Sequence, residues 1–221
     1  MPKLILDAIL MDLFWADQPE HALRAALSFN CYLRPGEASN LQLSDVTVPI
    51  RARAGPYRYV GIILAPTERE RPTKTGNFDD TLLLDNLVAY PWVSKLLLAA
   101  RRSSRPLETA LFERTYENFA AALVQSCSRL GISEPFHPYQ LRHGGAAHDL
   151  LFAIRDRESV KARGRWQTET SLRRYGKVGK VQKRLEDIPS TVIDFAHKCE
   201  PWLRSVALGQ RKPLSPLVAA R

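Results

Sequence analysis

The chain is poor in the features that would give it away at once. Of its 221 residues only three are cysteines, Cys31, Cys127 and Cys199, odd in number, widely spaced and without a CxxC pair. That excludes a disulfide framework and a zinc knuckle and favours a reducing compartment. No apolar run approaches a membrane span, and Asp7 and Asp12 interrupt the opening stretch that a signal peptide would keep apolar. The reading is therefore an intracellular protein with no membrane partner. There is no GxGxxG and no GxxxxGK[ST] loop, and His143 and His148 lack the spacing and the Glu of a zinc-protease helix. No metal site and no cofactor are expected. Lys74-Thr75-Gly76 matches one element of penicillin-binding enzymes, but no Ser is followed three residues later by Lys, so the nucleophile element is missing. No internal repeat, low-complexity tract or RNP-type aromatic ribbon is present, which sets RNA binding aside.

What is present is positive charge, and it is local. Lys and Arg number 32 against 23 Asp and Glu, a net charge of +9. Between Leu151 and Arg184 lie eleven Lys or Arg against three acids, so this stretch holds +8 of the total. A concentrated excess reads as a polyanion-binding face, with double-stranded DNA the first partner expected. A hydrophobic share of 45% is enough for a core without covalent staples.

The periodicity predicts a mostly helical fold with a small inserted antiparallel β-sheet, an α+β class. Helices are expected near Ile5–Phe14, Glu20–Asn30, Pro35–Leu41, Tyr116–Leu130, Tyr139–Phe152, Arg157–Arg163 and Thr168–Arg174, with a last one after Ser190. Val46–Ile50, Tyr57–Leu64 and Thr81–Leu84 read as strands, broken by Gly55-Pro56 and by the charged stretch Pro66–Asp80. Residues 1–208 read as one domain, and residues 209–221, with two prolines and no periodicity, as a mobile tail.

An ordered series of residues carries the chemistry: Leu33-Arg34-Pro35-Gly36-Glu37, Lys74, Tyr139-Gln140-Leu141-Arg142-His143, and Trp166 followed nine residues later by Tyr175. The order and separations resemble the catalytic domain of the tyrosine recombinase (phage integrase) family over about residues 20 to 190. The resemblance implies that fold, and DNA cleavage and rejoining through a covalent 3′-phosphotyrosine in recombination or integration of a mobile element. Two Arg forks, Arg34 and Arg142, would hold the non-bridging oxygens of the crowded phosphorane-like state. Tyr175 would be the nucleophile and Lys74 the acid for the departing 5′-oxygen, while Trp166 would offer its indole N–H. Tyr139 stands where the family has the His of H-x-x-R, with His137 two residues earlier. Glu37 and His143 would support the site, and Arg163, Arg165, Arg173, Arg174 and Lys177 would contact DNA.

No metal is implied. About 33 residues precede Arg34, so no separate DNA-clamping domain is expected in this chain. The resemblance further implies a homo-oligomer assembled on DNA, in the nucleus or a bacterial cytoplasm, with the apolar face of the helix after Ser190 docked on a neighbouring protomer. Two other readings are a recombinase-derived DNA-binding module without catalysis and a type IB topoisomerase-like enzyme. A strand-transfer assay and a supercoil-relaxation assay separate them.

Overall fold

The computed structural model describes residues 1–50, 55–69, 78–172, 175 and 178–216. At its centre is α1 (Lys3–Trp15), whose residues from Ile5 to Leu13 are all buried. A helix that is apolar on every face belongs inside a bundle, and the two acids this one carries are paired there. Asp7 meets Lys3 and the Tyr90 hydroxyl, and Asp12 meets Arg129. Around α1 lie α2 (Pro19–Asn30), α5 (Tyr116–Arg129) and α6 (Tyr139–Leu151). The short α3 (Pro35–Ser39) follows α2.

Three short strands follow, β1 (Val46–Thr47), β2 (Val60–Leu64) and β3 (Asp80–Leu84), antiparallel in the order β1-β2-β3. Ile62 stands opposite Val46 and Leu82, so Val60, Ile62, Leu64, Leu82 and Leu84 turn one apolar face to the helices. The expected first strand is cut to two residues, although the Ile50 amide still reaches the Tyr57 carbonyl at 2.8 Å. Gly55-Pro56 turns residues 55–58 into a short 3-10 helix, so β2 starts later than the apolar run implies.

The remaining helices are α4 (Val93–Arg101), α7 (Arg157–Gly164), α8 (Glu169–Leu172), α9 (Val178–Glu186), α10 (Ser190–Cys199) and α11 (Leu203–Ala207). Of these α4, α9 and α11 lie outside the expected set; α9 has no buried residue, and its apolar stripe is only Val178, Val181 and Leu185. The α5 boundaries follow local chemistry. Thr115 caps its start by accepting from the Asn118 amide, and Gly131 follows its end at φ +73°.

Two expectations are corrected. The apolar face of α10, formed by Val192, Phe195, Ala196 and Cys199, is buried against α1 in the same chain, so it is not left for a neighbouring protomer. Its burial there removes the same apolar area from water without a second chain. The tail does not leave the fold at residue 209: Leu214 packs on the core, its amide faces the Met11 sulfur at 3.2 Å, and Pro216 is buried. All three cysteines are buried and unpaired. Among the described residues no helix is long and apolar enough to cross a membrane.

Candidate anion-binding site

Arg142 lies on the second turn of α6 and is 1% exposed. A guanidinium can be carried that deep because α6 approaches α2 closely. A Cβ on Gly145 would fall 2.0 Å from the Phe29 carbonyl, and one on Gly144 would fall 3.0 Å from the Phe29 ring. Two interior glycines weaken an isolated helix by about 1 kcal/mol each; here they are the condition of contact. Arg142 donates through Nη1 to the Tyr32 carbonyl and through Nη2 to the Gly164 carbonyl, and the Trp166 ring covers it at 4.6 Å. Gly164 permits that cover, since a Cβ there would strike the Trp166 ring at 1.9 Å.

Arg34 and Arg165 complete the cluster around Glu37. Glu37 accepts from Arg34 Nη1 at 2.6 Å and from Arg165 Nη2 at 2.7 Å, and its carboxylate also takes the Arg34 backbone amide at 2.6 Å. The last contact is half a capping box at the start of α3. Arg165 itself ends α7 in the left-handed conformation, at φ +53°. Two guanidiniums thus share one carboxylate, and the third, Arg142, lies beside them on backbone carbonyls. Burial lowers Arg142 to about 10, and the charges of Arg165 and Arg34 push the same way against the pull of Glu37. The Nε groups of Arg142 and Arg165 are buried with no hydrogen-bond partner among the described residues. Guanidiniums held by carbonyls and one carboxylate, with donors to spare, are chemically suited to an anion.

Two clefts flank this centre. One, of about 840 Å³, is lined by Arg34, Glu37, Arg69 and Tyr139; Arg69 is held by Asp45 and by the Asn40 carbonyl. The other, of about 590 Å³, is lined by His143, Tyr175, Lys180 and Arg184. A series of rings joins them. Tyr139 meets His143 edge-on at 4.5 Å, His143 stacks on Tyr175 at 4.9 Å, and Tyr175 meets Trp166 at 4.9 Å.

The structure therefore brings together Arg34, Glu37, Arg142, Trp166, His143, Tyr139 and Tyr175, but it divides their openings. Tyr139 is half exposed beside Arg34, whereas Tyr175 is 8% exposed and opens to the second cleft. Lys74, Arg173, Arg174 and Lys177 lie outside the described residues. Two of the expected DNA contacts make bonds inside the fold. Arg163 donates to the Asn30 and Leu83 carbonyls and lies over the Tyr32 ring, tying α7 to α2 and β3. Arg165 has a side chain only 4% exposed and belongs to the buried cluster. Their charge reads the same in sequence whether it faces solvent or a carbonyl.

Sequence reasoning missed Tyr32, Asp149 and Arg155. Tyr32 offers its carbonyl to both Arg142 and Arg165, stacks on Trp166 and donates its hydroxyl to Asp149. Its place directly before Leu33-Arg34 was the available signal. No group of three or more His, Cys, Asp or Glu is arranged to hold a metal among the described residues. No family model and no curated protein matches the chain.

Proposed function

We propose that this chain binds double-stranded DNA and cleaves and rejoins its strands through Tyr175, as a tyrosine recombinase acting in recombination or integration. The observation that carries the reading is the excess of positive charge at the buried centre, where Arg34 and Arg165 bond Glu37 beside Arg142 and Asp80 adds a further negative charge near Arg165. A phosphodiester brings the missing negative charge, and the bipyramidal state of its displacement brings more, so the cluster binds the transition state better than the ground state. In that step the Tyr175 hydroxyl gives up its proton to solvent and its oxygen bonds to phosphorus as the bond to the 5′-oxygen breaks, so that one proton is released and one taken up by the departing oxygen. The number of phosphorus–oxygen bonds is unchanged, and the strand remains rejoinable. Lys74 is the proposed donor of a proton to the departing oxygen. Assembly of several copies on one DNA, in the compartment where that DNA lies, belongs to the same proposal.

One observation favours a second reading, a DNA-binding module without strand transfer: Tyr175 opens to a different cleft from Arg34, beneath the His143 and Trp166 rings. The test is incubation with duplexes carrying a 5′-bridging phosphorothiolate, which traps a covalent adduct, with Tyr175→Phe as control. An adduct mapped to Tyr175 and lost in the variant supports strand transfer. Duplex binding with no adduct supports the module.

A further inference from the structure

A chain of polar contacts runs behind the arginine cluster and joins three distant segments. Asp85, just after β3, accepts from Arg155 Nη2 at 2.5 Å, and Arg155 Nε donates to Asp149 at 2.9 Å. Asp149, near the end of α6, accepts the Tyr32 hydroxyl. Tyr32 then presents its carbonyl to Arg142 Nη1 and to Arg165 Nη2, the latter at 3.2 Å. Tyr32 is 1% and Asp149 5% exposed, and the Arg155 and Asp85 side chains are 9% and 19% exposed.

Two features show that this chain is not incidental packing. Tyr32 sits at φ +47°, a left-handed conformation that costs a non-glycine residue about 1–2 kcal/mol. That conformation aims its carbonyl at the two guanidiniums, so something must hold the peptide in it. Asp149 is the only hydrogen-bond partner of the Tyr32 side chain among the described residues, and the Arg163 guanidinium lies over its ring. Beyond α6, Ala153 turns back at φ +52°, and the Ile154 amide returns to the Asp149 carbonyl at 2.9 Å. This turn delivers Arg155 to Asp149 and Asp85 at once.

We infer that Asp149, backed by Arg155, is a positioning residue of the anion site: through the Tyr32 hydroxyl it fixes the carbonyl that aims Arg142 and Arg165 at the bound anion. The inference rests on the reading of the arginine cluster as a phosphate-binding centre. It does not require that Tyr175 be competent.

The experiment compares wild type, Tyr32→Phe and Asp149→Asn in two arms. In the first, inorganic phosphate is titrated and its association constant obtained from the rise in thermal midpoint. The variants are expected to bind phosphate about five- to tenfold more weakly. Tyr32→Phe keeps the ring and its stack on Trp166, so its midpoint without phosphate reports any merely structural effect separately. In the second arm the rate of Tyr175 adduct formation is expected to fall at least about tenfold, as misaimed forks lose their near-attack geometry. Equal phosphate affinity in all three proteins overturns the inference, as does a wild type whose midpoint does not respond to phosphate. Weakened phosphate binding in the variants, with no adduct from wild type on any duplex it binds, leaves the inference standing and removes the strand-transfer reading.

Discussion

Glu37 and Arg165, 128 residues apart, meet at 2.7 Å, and the other Glu37 oxygen holds Arg34 at 2.6 Å. One carboxylate thereby keeps two guanidiniums side by side next to a third, at a place where their mutual repulsion acts through little water. Everything proposed for the site depends on that arrangement, and it leads to the first prediction.

Glu37→Gln keeps the shape and removes the charge. The Arg34 and Arg165 side chains, 18% and 4% exposed, are then left without a carboxylate. Breaking such a pair on one side costs about 3 kcal/mol. Urea unfolding is expected to show a loss of that order, and added phosphate is expected to restore part of it by supplying the absent negative charge.

Arg142→Lys separates charge from geometry. The ammonium keeps the positive charge but lacks the fork that reaches both the Tyr32 and Gly164 carbonyls. Adduct formation on trapped duplexes is expected to drop by about a hundredfold or more, the scale of losing one transition-state donor. Duplex affinity, which sums many phosphate contacts, is expected to change much less when measured by fluorescence anisotropy.

Gly145→Ala tests the close approach of α6 to α2. The new methyl group would lie 2.0 Å from the Phe29 carbonyl, where backbone must give way, while Gly36→Ala meets nothing within 4 Å. Denaturant titration is expected to show a loss of about 2 kcal/mol or more for the first. The second is expected to stay within about 0.5 kcal/mol of wild type.

Burial lifts the Asp7 carboxyl to about 6, against the opposing pull of Lys3 and the Tyr90 hydroxyl and with a small push from Glu200. Because the folded state holds this proton more tightly than the unfolded state, the group's contribution to stability falls as pH rises from about 4 to 6 and is level above that. Chemical unfolding across this range is expected to show a drop of up to about 3 kcal/mol that disappears in Asp7→Asn.

Legibility of the site varied with the range of the interactions that build it. Arg34 and Glu37 stand three residues apart at a helix start, and Trp166 and Tyr175 nine apart, so the family resemblance could pick them out. Tyr32, Asp149 and Arg155 have no such signature, because their contacts span 117 and 70 residues and depend on where three segments end. The internal bonds of Arg163 and Arg165 were hidden for a related reason. A run of basic residues looks the same whether its forks meet phosphate or the protein's own carbonyls.

The sequence by itself determined the helical character, the short antiparallel sheet and the local excess of positive charge, because apolar periodicity, turn residues and charge are local properties of the chain. Only the tertiary structure decided which of those charges are buried, that α10 folds onto α1, and that Arg34 and Arg165 converge on Glu37 beside Arg142. It also set Tyr175 and Arg34 at different clefts. Those outcomes depend on which distant faces exclude water together and which buried polar groups find partners, and neither is written in any single stretch of residues.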